Sequence, residues 1–173
     1  MKKDFFGTAD GKDVYKYILS GDGVTVSVID FGAAVQSIFV DGVEIVQSFG
    51  SAEDYKTRPG YVCGAIGRVA NRIANAEFAL NGETFRLTKN EGNNQLHGGK
   101  EGFDHKFFTA EEICNGVKMT YRSPDGEEGY PGNLLFTVKF TLTGRTLTIG
   151  YTATTDKDTL FAPTHHFYFN LNG

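Results

Sequence analysis

Residues 164–171, which read Thr-His-His-Phe-Tyr-Phe-Asn-Leu, could carry acid–base chemistry. If they form a strand, alternate side chains point to opposite faces, so His166, Tyr168 and Asn170 share one face. The other face then carries His165, Phe167, Phe169 and Leu171. A row of hydrogen-bonding groups in an aromatic strand suits a polar pocket for a hydroxylated ligand. An alternative is a solvent-facing strand edge whose polarity is incidental, and the pattern favours neither interpretation.

The adjacent histidines His165 and His166 do not predict a metal site. Neighbouring side chains on a strand point away from each other and cannot converge on one ion. We therefore expect no metal ligands here.

Two further segments contain candidate site residues. His97 is followed by Gly98-Gly99, and glycines allow the backbone to approach a ligand closely. Arg72 follows Asn71, and its planar fork of donors suits neighbouring sugar oxygens or a carboxylate. Taken singly, such a histidine is more often structural or solvated, and an Asn-Arg pair is more often on the surface.

The segment 123–133 is rich in turn residues and includes Glu127 and Glu128. Paired acids can do acid–base work, but in such a loop we expect a solvated or rim position. A glycine-rich phosphate cradle, a serine nucleophile elbow and a Cys-His dyad are not apparent in the sequence.

Composition narrows the possible partners. The 173 residues carry a net charge of −4, which disfavours nucleic acid as a partner, and no apolar run reaches transmembrane length. Cys63 and Cys114 are far apart, so we expect buried free thiols in a reducing compartment. The first residues lack the apolar region of a signal peptide, which favours a cytoplasmic location.

Alternating apolar and polar residues predict an all-β fold, most simply a sandwich of antiparallel sheets. Asp41-Gly42 predicts a hairpin turn that sets Ile38 opposite Ile45. Asn81-Gly82 predicts a second hairpin over 76–87, which pairs Phe78 with Phe85 and Glu77 with Arg86. Two further antiparallel strands are predicted over 136–142 and 147–153, on either side of Gly144-Arg145.

The order and spacing of five motifs resemble the aldose 1-epimerases, or galactose mutarotases. The motifs are Gly-Arg-Val-Ala-Asn-Arg-Ile at 67–73, Leu-His-Gly-Gly at 96–99, Gly-Phe-Asp at 102–104, Ser-Pro-Asp-Gly-Glu-Glu at 123–128 and Tyr-Phe-Asn-Leu at 168–171. The resemblance implies a galactose mutarotase-like β-supersandwich that interconverts the α and β anomers of hexoses such as galactose or glucose. It implies neither metal nor organic cofactor.

The resemblance also implies a role for each site residue. Asn71 and Arg72 would contact the monosaccharide, and His97 would bind or polarise near the ring oxygen. His166 would be the general acid, with Phe167 and Tyr168 lining the same region. Histidine suits that role because its pKa lies near working pH.

The family's general base is a glutamate in the C-terminal half of longer proteins, and no residue here matches it. We therefore expect residues 1–173 to be a single β domain that corresponds to the N-terminal half. It would need a C-terminal half or partner chain, or would self-associate to cover open sheet edges. The alternative function is a carbohydrate-binding β-domain without turnover.

Overall fold

The computed structural model describes residues 1–172, and most of its regular structure is β-strand. The strands are β1 (Lys2–Ala9), β2 (Lys12–Ser20), β3 (Val24–Ile29), β4 (Val35–Val40), β5 (Val43–Glu44), β6 (Ala65–Ile66), β7 (Arg72–Ile73), β8 (Glu77–Leu80), β9 (Glu83–Arg86), β10 (Gln95–Leu96), β11 (Thr109–Ile113), β12 (Gly116–Ser123), β13 (Leu134–Thr143), β14 (Thr146–Thr155) and β15 (Thr164–His165). A six-residue helix, α1, covers Ala52–Thr57. Within 1–172, no helix has the length and apolarity to cross a membrane. The all-β prediction is confirmed.

Strands β1 to β5 form an antiparallel sheet in sequence order. Val24, Val26 and Val28 of β3 are all buried and belong to one apolar cluster. The predicted turn at Asp41-Gly42 is confirmed, because both residues have positive φ and the amide of Ile45 donates to the carbonyl oxygen of Ile38.

Strands β11 to β14 form the second large sheet, also antiparallel and in sequence order. The predicted hairpin around Gly144 is confirmed by ten residue pairs, from Leu134–Thr155 to Thr143–Thr146. On β13 the side chains of Phe136, Val138 and Phe140 are fully buried, while those between them are exposed or half-buried.

The main core lies between these two sheets. Apolar side chains of both sheets belong to one buried cluster, which includes Val26, Val28, Met119, Phe136 and Phe140. Two apolar faces packed on each other are the arrangement of a β-sandwich.

Three two-stranded sheets lie outside the sandwich: β6 with β15, β7 with β10, and β8 with β9. The β8–β9 hairpin has the predicted register, with Phe78 opposite Phe85 and Glu77 opposite Arg86. The rings of Phe78 and Phe85 stack with centroids 5.3 Å apart.

Two predictions need correction. The final strand was expected to run through Leu171, but β15 ends at His165, because it pairs with only the two residues of β6. Beyond it the chain pairs with residues 45–47 only through an isolated antiparallel bridge between Val46 and Phe169. Phe169 and Leu171 are 58% and 74% exposed. Of the cysteines, both free, Cys63 is buried as expected but Cys114 is exposed.

Candidate active site

Pairing of β7 with β10 brings the first two motifs together. Leu96 lies opposite Arg72, so His97, just after β10, lies beside Asn71, just before β7. The amide of Asn71 donates to Nδ1 of His97 over 2.9 Å, and the amide of His97 donates to the carbonyl oxygen of Asn71 over 3.0 Å.

The bond to Nδ1 determines which tautomer the neutral His97 ring adopts. Because Nδ1 accepts a backbone N–H, the proton of the neutral ring is on Nε2. Burial lowers the pKa of His97, and the nearby His166 and Arg72 lower it further. Near neutral pH, His97 is therefore a neutral donor through Nε2.

Glycine next to His97 is a steric requirement. A Cβ at Gly98, whose φ is +88°, would lie 1.8 Å from the carbonyl oxygen of Gly67. His97 itself has a φ of +53°, an uncommon conformation for a residue with a side chain. The loop that carries His97 is thus packed closely against the backbone of Gly67, just after β6.

Glu128 fastens the far end of this loop. Its carboxylate accepts the amides of Lys100 and Glu101 over 3.2 and 3.0 Å. Its carbonyl oxygen accepts the side-chain amide of Gln95, at the start of β10, over 3.2 Å. Glu128 was expected at a solvated rim, and instead it holds the His97 loop.

His166 lies in a cluster of rings with His97. Their ring centroids are 5.1 Å apart and their planes perpendicular. Tyr168 and Tyr61 stack on His166 with centroids 4.9 and 5.9 Å away. Nδ1 of His166 is buried and has no hydrogen-bond partner among the described residues.

Tyr61 was missed by the sequence analysis. Its ring also contacts His97 edge-on at 4.7 Å, so it lies against both histidines. Its φ of +56° is unusual for an aromatic residue, and no sequence pattern signalled it. The hydroxyl of Tyr168 donates to the carbonyl oxygen of neighbouring Gly60 over 2.6 Å.

Arg72 is oriented by a residue that the sequence analysis also missed, Glu91. Nε of Arg72 lies 2.9 Å from Oε2 of Glu91, and its terminal nitrogen contacts Oε1. This pairing lowers the pKa of the Glu91 carboxyl. The guanidinium stays largely exposed and able to contact a ligand.

Other residues of the motifs lie elsewhere. Phe167 packs against the main core with His165, so the structure does not bring it to His97. His165 is bonded to Tyr151 and to the carbonyl oxygen of Ala33, and its burial lowers its pKa to about 4.

Arg68 is 2% exposed and serves the fold. Its guanidinium donates to Ser123 Oγ over 2.9 Å and to the carbonyl oxygens of Pro131 and Gly132, both over 2.8 Å. It therefore holds the 123–133 loop and cannot reach a ligand.

The comparison with protein families decides the interpretation of this site. The family description "Aldose 1-epimerase" matches residues 15–173. The chain belongs to the aldose 1-epimerase family. The β-sandwich expected from the resemblance is thereby confirmed as a galactose mutarotase-like fold.

Individual relatives agree with the family match. Galactose mutarotase of Bos taurus is 39% identical over 92% of this chain and 48% of its own length. Aldose 1-epimerase of Haemophilus influenzae is 39% identical over 99% of this chain and 52% of its own. The crystal structure of galactose 1-epimerase from Lactobacillus acidophilus superposes with a TM-score of 0.90 and 32% identity, covering 98% of this chain and 53% of that one. The chain spans about half the length of the curated relatives it matches.

In this member of the aldose 1-epimerase family, the site brings the imidazoles of His97 and His166 close to the Asn71-Arg72 pair. Within residues 1–172, no group of three or more His, Cys, Asp or Glu side chains is arranged to hold a metal ion. The site can donate hydrogen bonds to a neutral polyhydroxy ligand and exchange protons through imidazole.

Proposed function

We propose that this chain provides the sugar-binding and general-acid side of an aldose 1-epimerase that interconverts the α and β anomers of hexoses such as galactose or glucose. The observation that carries this proposal is the contact between His97 and His166, 5.1 Å apart, beside the Asn71-Arg72 pair. Two imidazoles in contact with hydrogen-bond donors around them form a site that can bind a sugar and transfer a proton to it.

Each residue has a distinct role in the proposed reaction. His166 protonates the ring oxygen while a base takes the proton of the anomeric hydroxyl. The bond from C1 to the ring oxygen breaks, and C1 becomes an aldehyde. After rotation about C1–C2 the ring hydroxyl attacks the other face of the carbonyl, and both protons return. Because His97 is held neutral, it donates from Nε2 to a sugar oxygen without competing as the acid.

Arg72 and Asn71 bind sugar hydroxyls in this proposal. Glu91 holds the guanidinium of Arg72 in place, so less side-chain freedom is lost when a ligand binds. Tyr168, stacked on His166, limits the movement of the acid.

The general base comes from a C-terminal half or a partner chain. Two features of the sandwich support such an assembly. The ten-residue strand β14 is the last strand of its sheet, so one side of its backbone is available for pairing. Phe169 and Leu171 expose apolar surface just after the His166 segment. A cytoplasmic location is part of the proposal, because free thiols such as Cys63 suit a reducing compartment.

Titration of the isotopically labelled chain with galactose tests the proposal. We expect amide shifts at Asn71, His97 and His166, and at least about tenfold weaker binding in the His97→Ala and Arg72→Ala variants. Arg122→Ala, an exposed arginine of β12, is the matched control and should bind as the wild type. Absence of binding would contradict the proposal. Binding without turnover, even with a C-terminal half present, would favour the carbohydrate-binding alternative.

A further inference from the structure

The imidazole of His166 lacks the anchor that His97 has. Nδ1 of His97 accepts the backbone N–H of Asn71 over 2.9 Å, which fixes the orientation of that ring. Nδ1 of His166 is buried and has no hydrogen-bond partner among residues 1–172, which leaves Nε2 as the nitrogen able to meet a ligand. The orientation of the proposed general acid must therefore come from the side chains packed around its ring.

Tyr61 is the ring that links the two histidines. It contacts His97 edge-on, with centroids 4.7 Å apart and an interplanar angle of 69°. It stacks on His166 with centroids 5.9 Å apart and an angle of 30°. In the described part of the chain, Tyr168 makes a ring contact with His166 but not with His97. Tyr61 thus relates the unanchored ring of His166 to the fixed ring of His97.

The backbone around Tyr61 is bonded directly to that of His166. The amide of Cys63 donates to the carbonyl oxygen of His166 over 3.0 Å, and the amide of His166 donates to the carbonyl oxygen of Gly64 over 3.1 Å. The amide of Gly64 donates to the carbonyl oxygen of Tyr61 over 3.2 Å, which closes a tight turn. These bonds determine where the side chain of Tyr61 begins relative to His166.

The conformation of Tyr61 is one that the surrounding structure has to maintain. Its φ is +56°, and that of Cys63, two residues later, is +50°. This left-handed conformation is unfavourable for residues with a side chain, and it is often found at functional sites. Tyr61 also lines a cavity of about 310 Å³. Removing its ring would therefore enlarge that space and leave the histidines without a neighbour on this side.

The hydroxyl of Tyr61 does not supply the general base. Burial raises the pKa of Tyr61, and the charges of Asp104 and Glu91 raise it further. The phenol therefore stays protonated near neutral pH. The contacts with both histidines are made by the ring, so a role in their arrangement belongs to the ring and not to the hydroxyl.

We propose that Tyr61 is a positioning residue, whose ring holds the imidazole of His166 at the angle to His97 that the sugar site requires. This inference rests on the proposed function, in which His166 is the acid and His97 is a donor to the sugar. Orientation matters there because proton transfer depends on the direction of the ring nitrogen toward the sugar oxygen.

NMR of the labelled full chain and calorimetry with galactose test this role. The wild type should show an NOE between the ring protons of His97 and His166, whose centroids are 5.1 Å apart. We expect Tyr61→Leu to lose this NOE and to bind galactose at least about fivefold more weakly. Tyr61→Phe, which keeps the ring, should retain the NOE and bind within about twofold of the wild type. Tyr15→Leu is the matched control and should change neither readout, because Tyr15 is a half-buried tyrosine of β2 whose ring contacts Phe5.

The outcomes separate this role from the proposed function. A wild type without the NOE, or a Tyr61→Leu variant that keeps the NOE or the wild-type Kd, would overturn the role of Tyr61 and leave the proposed function intact. Equal losses in Tyr61→Leu and Tyr61→Phe would assign the effect to the hydroxyl and would also overturn it. If the wild type binds no galactose, the proposed function fails, and the NOE decides separately whether Tyr61 holds the two histidines. If Tyr61→Leu does not fold, the wild-type Tyr61 ring must show NOEs to both histidines, and their absence would overturn the role.

Discussion

His97 and Asn71 are joined by two reciprocal hydrogen bonds. The amide of Asn71 donates to Nδ1 of the imidazole over 2.9 Å, and the amide of His97 donates back to the carbonyl oxygen of Asn71 over 3.0 Å. The β7–β10 register makes both possible. One strand pairing thus positions the histidine, selects its tautomer and places Arg72 beside it.

Replacing Gly98 with alanine should displace His97. The new Cβ would lie 1.8 Å from the carbonyl oxygen of Gly67, so the loop must move. We expect galactose binding to be lost, as measured by calorimetry, and the free energy of unfolding to fall by more than about 2 kcal/mol.

Gly42→Ala is the matched control for this substitution. Gly42 also has positive φ, at +86°, but a Cβ there would meet no atom within 4 Å. It should lose about 1 kcal/mol of stability and no sugar affinity. Equal effects at the two glycines would show that conformation, and not the contact with Gly67, is what Gly98 provides.

Glu128→Ala should weaken sugar binding, although Glu128 itself does not contact the sugar. The carboxylate holds the amides of Lys100 and Glu101, so its removal frees the end of the His97 loop. We expect the galactose Kd to rise about fivefold to tenfold. Glu83→Ala, at the exposed start of β9, should leave the Kd unchanged. An unchanged Kd in the Glu128 variant would mean that the loop holds its shape without this anchor.

Glu91→Gln tests the orientation of Arg72. The Arg72 side chain is exposed and that of Glu91 is only partly buried, so their ion pair should contribute little to stability, and thermal unfolding should be unaffected. We expect weaker galactose binding, because the guanidinium loses its paired carboxylate. A binding curve that superposes on that of the wild type would show that Arg72 needs no partner.

His165 should make the protein less stable in acid. Its pKa is about 4 in the folded chain, against about 6.5 when unfolded, so the unfolded chain binds more protons between these values. The contribution of neutral His165 to the free energy of unfolding is complete above pH 6.5 and is lost as the pH falls to 4. The loss relative to His165→Gln should reach about 3 kcal/mol, measured by urea unfolding of both proteins across this range.

The comparison between variants is needed because two carboxyls titrate in the opposite sense. Burial raises the pKa of both Asp30 and Asp104 to about 6, so each stabilises the fold as pH falls from 6 to 4. The effects of Asp30 and Asp104 are the same in the wild type and in His165→Gln, so they cancel when the two unfolding free energies are subtracted. Parallel pH profiles would mean that His165 is not buried in its neutral form.

Local signals predicted much of the fold. The hairpins at Asp41-Gly42, Asn81-Gly82 and Gly144 each combine a turn glycine with alternating strands, and all three form. The first two also have the expected register. The length of the last strand was harder to predict, because β15 can extend only as far as its partner strand β6 does. The alternation of side chains still correctly predicted that His166 and Tyr168 lie on one face of this segment. It also predicted that His165 and Phe167 lie on the other face.

The site was only partly predictable. His97, Asn71 and Arg72 lie in motifs, and the structure brings them together. Tyr61 and Glu91 have no motif-level signal, because their roles depend on contacts between segments distant in sequence. Glu128 looked like a rim residue, since a glycine-rich loop gives no sign of what it packs against.

Anomer exchange of α-D-galactose, followed by optical rotation, tests the central proposal most directly. The chain would be measured alone, and then with the remaining C-terminal half of the Lactobacillus acidophilus galactose 1-epimerase, whose other half this chain superposes on. We predict acceleration only when both parts are present, and its loss in the His166→Ala variant. Acceleration that survives His166→Ala, or none with both halves assembled and sugar bound, would contradict the proposal that His166 is the general acid of a mutarotase.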